Sequence, residues 1–143
     1  MKRCFITAIS LSLLLLLAGF GGAASLTTNI LGKYEGNVQM VRGQSYMTTP
    51  MVIRILNQNG ALFYATVAFP NIPDQGTSNI NGVLYEGQVH FTGEYVTGAG
   101  RCTPSSPPYI SGYFHSIAVY GSSEPAETGV FYLKRTSTNP TAP

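Results

Sequence analysis

Two histidines, His90 and His115, one thiol beyond the extreme N-terminus, Cys102, a single aspartate, Asp74, and a few glutamates are the groups that could do acid–base, nucleophilic or metal chemistry in this chain. Spacing argues against most of it. His90 and Glu94 share one face of an expected strand but lie about 13 Å apart along it, at about 3.3 Å per residue. They cannot touch, and a polar outer face explains them more simply. Cys102 with His115 or His90 would be a nucleophile and its base. However, Cys102 sits in a proline-rich stretch where only Arg101 would lower its pKa. His90, His115 and a glutamate lack the close spacing of a metal site. No phosphate loop, paired-carboxylate motif or nucleophile elbow is present. The chain is therefore expected to be no enzyme, with no catalytic residue, metal or cofactor. Tyrosine, with an apolar ring and a hydrogen-bonding tip, suits a pocket wall or a binding surface. Tyr64, Tyr85, Tyr113, Tyr120 and Tyr132 fall in expected strands, where tyrosine is also common simply because it fits the pleat.

The elements that carry these residues read as strands. Short alternating runs are broken by Gly, Asn and Pro. In 33–41, Tyr34, Gly36, Val38 and Met40 fall on one face and Lys33, Glu35, Asn37 and Gln39 on the other. Runs 51–58 and 61–69 flank Asn59-Gly60, a strong hairpin signal. Met51, Ile53, Ile55, Phe63, Ala65, Val67 and Phe69 would face inward. Runs 78–85 and 88–96 flank Glu86-Gly87, with Val89, Phe91, Gly93 and Tyr95 together on one face. Runs 109–120 and 128–135 complete seven strands, and a partly extended 43–48 would make eight. Segments 70–76 and 97–108 read as loops, and 121–126 as a turn. Sequential strands with short connections predict an all-β, antiparallel up-and-down meander closing into a small barrel, with a β-sandwich as the alternative.

The N-terminus changes the bulk numbers. Lys2 and Arg3 precede an apolar run containing Leu13 to Leu17, and small residues follow up to Ala24. This is the order of a secretory signal peptide, with cleavage expected after Ala24 or Ala23. The expected organisation is a signal peptide over 1–24, a domain over 25–135 and a disordered tail over 136–143. The protein is expected to be secreted or periplasmic. Cleavage removes Cys4, leaving Cys102 as a free thiol or the point of an intermolecular bridge in a Cys102-linked dimer. It also removes two basic residues. The mature chain is then formally neutral and has no clustered Lys and Arg to recruit nucleic acid. No continuous lipid-facing band points to a membrane barrel, so no stable membrane insertion is expected after cleavage.

Gly32-Lys33-Tyr34 at the first strand, the closing run Phe131-Tyr132-Leu133-Lys134-Arg135 and the repeated apolar hairpins resemble the calycin superfamily, the lipocalin-like and avidin-like small barrels. Tyrosine stands where that pattern has tryptophan. The resemblance implies that Gly32, Tyr34 and Arg135 close one end of the barrel, with the guanidinium stacked on the ring. The chain contains no tryptophan, so an avidin-like biotin site is not implied. The function expected is that of an exported, non-catalytic binding protein with a small apolar or amphipathic ligand in or at the mouth of the barrel. Phe63, Phe91 and Phe131 would face the interior. Tyr113 and His115 are further ligand-binding candidates if their face turns inward. Loops 70–78 and 97–108 would line the mouth. The alternative is a protein-binding module, such as an inhibitor of an extracytoplasmic enzyme or an adhesion component, contacting its partner through 97–108.

Overall fold

The computed structural model describes residues 28–72, 76–116 and 126–143. The expected signal peptide, Asp74, Ile117, Tyr120 and most of the 121–126 turn lie outside the described residues. Eight strands follow in order: β1 Gly32–Arg42, β2 Ser45–Asn59, β3 Leu62–Ala68, β4 Ser78–Tyr85, β5 Gln88–Gly93, β6 Val96–Thr103, β7 Tyr109–Ser116 and β8 Glu127–Ser137. Each pairs antiparallel with its neighbour, and β1 pairs with β8, so the sheet is a closed barrel. Closure removes the free sheet edges that an open meander would expose.

The turns follow the local chemistry. Glu86 and Gly87 both take positive φ, 49° and 76°, in a two-residue turn between β4 and β5; such turns match the twist of the strands they join. The expected Asn59-Gly60 turn moves on by one residue. Asn59 pairs with Leu62, and Gly60, at φ 58°, leads the turn.

Three expectations are corrected. The segment 43–48 is no separate strand but the start of β2. The expected loop 97–108 is mostly β6, and Cys102 is a strand residue in the core, 3% exposed. In the folded barrel its thiol is free and buried. The tail 136–143 is held: Thr136 and Ser137 extend β8. Beyond them, Arg54 donates to the carbonyls of Pro140 and Ala142, and Lys33 to that of Pro143 at 2.6 Å.

The interior is built from rows of side chains that run across the strands. One row crosses all eight: Phe63, Gly82, Phe91, Gly98, Phe114, Gly129, Met40 and Met47 are successive register partners. From Phe63 to Met40 large and small residues alternate, as suits the interior of a small barrel. A Cβ at Gly82 would overlap the Phe63 ring, and one at Gly98 the Phe91 ring. A second row contains Thr49, Val38, Phe131, Gly112, Gly100, Val89 and Leu84. A Cβ at either of the facing glycines 100 and 112 would meet the backbone of the other strand, and the ring centre of Phe131 lies 6.2 Å from that of Phe91. Phenylalanine rings thus occupy the middle of the lumen.

The two ends differ. The base holds the turns at 60–61 and 86–87 and the connection 104–108. Ile30, fully buried, plugs it, with its N–H held by Gln58 Oε1 at 2.9 Å. The rim holds the β1–β2 turn, residues 69–72 and 76–77, and the 94–95 connection. There Phe69 stacks at 6.1 Å against Phe114, and Ile72 is buried. The 104–108 connection therefore cannot line the mouth with 70–78, because it lies at the opposite end.

Candidate functional site

The base was expected to bring Gly32, Tyr34 and Arg135 together. Tyr34 and Arg135 are register partners across β1 and β8, and Gly32 lies against the Arg135 side chain. Tyr34 is fully buried. Its phenol pKa is pushed up to about 12, chiefly by burial, further by the neighbouring Cys102 thiol, and held back by the Arg135 guanidinium. Arg135 thus acts on the ring's hydroxyl end. It does not complete a well-formed hydrogen bond there, since the Tyr34 hydroxyl has no partner. Its Nη1 instead faces the carbonyls of Asn29 and Leu31, both at 3.4 Å. Burial also pushes the Cys102 thiol up, against the pull of Arg135. A thiol held protonated is a poor nucleophile, so this cluster belongs to the packing of the base.

The five ligand-binding candidates divide. Phe63, Phe91 and Phe131 face inward and are buried. Tyr113 and His115 do not line the interior. On β7 the inward positions are Ile110, Gly112 and Phe114, which turns Tyr113 (59% exposed) and His115 outward. The expected face of β5 holds for Val89 and Phe91, but Tyr95 lies beyond the strand. It is half exposed and donates a hydrogen bond to Glu94. His90 also faces solvent. Among the described residues no three His, Cys, Asp or Glu side chains gather into a cation site.

A groove of about 490 Å³ runs across β2, β1 and β8 just below the rim. Its side chains come from the outward positions of three paired strands. Thr48, Gln39 and Val130 form one row across the sheet, and Tyr46, Val41 and Thr128 the next. Met40, Met47 and Gly129, whose side positions belong to the interior rows, supply the floor. β2 meets β3 only from Val52 onward, so its first residues, paired with β1 alone, project as an arm past β3. Tyr46, at the tip of that arm, is 86% exposed.

Tyr113 and His115 lie beside this groove. Tyr113 is the register partner of Val130 and His115 of Thr128. His115 Nδ1 is 2.9 Å from Thr128 Oγ1. Further along β8, Tyr132 stacks at 5.0 Å on Tyr109. The rim half of the outer wall of β7, β8, β1 and β2, above Glu35, Lys134 and Arg54, therefore carries an uncharged field of tyrosine, valine, amide and hydroxyl groups. At the rim, Arg42 and Glu127 neutralise each other at 3.2 Å. Alternation in 33–41 already assigned Gln39 to an outer face. Tyr46 and Thr48 carried no signal because their segment did not read as a full strand.

No family model, curated protein or solved structure matches the chain.

Proposed function

We propose that this chain is an exported, non-catalytic binding protein of calycin-like build that holds a small amphipathic ligand at the mouth of its barrel, on the outer wall. The observation that carries this reading is the groove between β2, β1 and β8. At about 490 Å³ it falls in the size range of small-molecule sites. Its lining joins apolar surface from Val41, Tyr46 and Val130 to hydrogen-bonding groups on Gln39, Thr48 and Thr128. The phenylalanine-filled lumen favours the wall over the interior as the ligand's place.

A protein partner is the second reading. It is favoured by the exposure of Tyr46, Tyr113, Val130 and Tyr132 in one field, since contiguous apolar surface commonly marks interaction sites.

Equilibrium dialysis with radiolabelled octyl β-D-glucoside, kept below its micellar concentration, tests the first reading. One saturable site is expected. Val130→Asp places a charge on an exposed groove position and should weaken binding about tenfold or more, because that charge would be desolvated without a partner. Tyr85→Ala, at the base, should leave binding as it was. Absence of saturable binding, or equal binding by native and Val130→Asp protein, would reject the reading.

A further inference from the structure

The chemistry of the groove narrows what can occupy it, on the reading that it is the ligand site. Among the described residues that line it none carries a charge, and the ion pair at the rim, Arg42 with Glu127, holds its two charges against each other. A charged ligand would lose water there and gain no counter-ion. A hydrocarbon chain fits no better. It would cover the Gln39 amide and the Thr48 hydroxyl without offering them a hydrogen bond, at a desolvation cost for each. Each row across the sheet also holds both polar and apolar groups. Thr48 and Gln39 precede Val130 in one row, and Tyr46 and Val41 precede Thr128 in the next. The matching ligand carries hydroxyls around its edge and an apolar face, both within one ring's width.

We propose that the groove takes a neutral saccharide unit, with the Tyr46 ring against its C–H face and Gln39, Thr48 and Thr128 bonding its hydroxyls. Tyr46 is free to lie over a ligand, since it projects from the arm almost fully exposed. The amide of Gln39 offers two donors and an acceptor, and each hydroxyl offers both roles, which suits the mixed donor–acceptor character of a sugar. His115, 2.9 Å from Thr128 Oγ1, positions that hydroxyl from outside the groove. The neighbouring tyrosines, Tyr113 and Tyr132, lie on the same wall, so a second sugar ring of an oligosaccharide would continue along β8.

The test separates the two halves of the amphipathic probe. Backbone amide shifts are followed by NMR while the protein is titrated in turn with methyl glycosides of glucose, galactose, mannose and N-acetylglucosamine, and with 1-octanol. At least one methyl glycoside is expected to move the amides of residues 39–41, 46–48 and 128–130, and 1-octanol is expected to leave them in place. For that glycoside, Gln39→Leu and Tyr46→Ala should each weaken binding about tenfold, whereas Tyr46→Phe should retain it. All these positions face solvent, and an unchanged amide spectrum away from the groove verifies the fold of each variant. Movement with 1-octanol and none with any glycoside would overturn the saccharide assignment and leave the groove as an apolar-ligand site. Movement with none of the probes would overturn both readings. Equal glycoside binding by native and Gln39→Leu protein would also reject the assignment.

Discussion

Tyr34 is the residue whose chemistry departs furthest from its free form. Its hydroxyl is buried beside Cys102 with no hydrogen-bond partner, and its pKa is raised to about 12. The folded state therefore favours the neutral phenol. That contribution is complete below the unfolded pKa, near 10, and is lost as pH rises through the folded value. Chemical-denaturation midpoints measured between pH 9 and 12 should fall steeply above pH 10 in the native protein. They should fall less in Tyr34→Phe, which has no such group to ionise. At neutral pH the same variant should be as stable as the native protein or slightly more so, because it removes an unpaired buried hydroxyl. The Gly-x-aromatic run made a buried Tyr34 beside Arg135 legible in the sequence. The missing hydrogen-bond partner was not, because it depends on where Arg135 places its donors, and these go to backbone carbonyls of residues 29 and 31. His115 and Tyr113 show the same limit. Phe114 between them is the inward residue, and with apolar groups on both faces alternation alone could not choose.

Among the elements, β6 shows most clearly what the pattern of apolar residues conveys and what it misses. Its inward positions are Gly98, Gly100 and Cys102, so a reading based on apolar side chains finds a loop there. The strand exists because its neighbours need the space: Phe91 on one side and Phe114 on the other are register partners of Gly98. The information for β6 was thus written in β5 and β7. Gly98→Ala should destabilise the protein by about 1–3 kcal/mol, the usual cost of overfilling a packed core. Combining it with Phe91→Leu should recover part of that loss, giving a non-additive cycle in denaturant melts. Additive losses would mean that ring and glycine are not packed against each other. The segment after β8 escaped notice for a related reason. It is fastened through its carbonyl oxygens to Lys33 and Arg54, and carbonyls are the same in every sequence.

At the scale of the whole molecule, the closed barrel was legible in the evenly spaced alternating runs and short turns, since eight sequential strands with one apolar face have few other ways to bury it. The groove was not, because its lining residues come together only through the register of three strands, a long-range pairing that no local pattern encodes. The barrel and the groove divide the work in this account. Phenylalanine rings and glycines make a packed, rigid support, and the outward residues of three strands make the binding face. A ligand should therefore perturb the wall and leave the interior rows unchanged. The most direct measurement is a methyl chemical-shift map of the native protein with labelled Val and Met methyl groups, titrated with octyl β-D-glucoside. The account predicts saturable shifts at Val41 and Val130, with Met51 and Val89 in the interior unmoved. Shifts centred on the interior methyl groups, or none at Val41 and Val130, would contradict it.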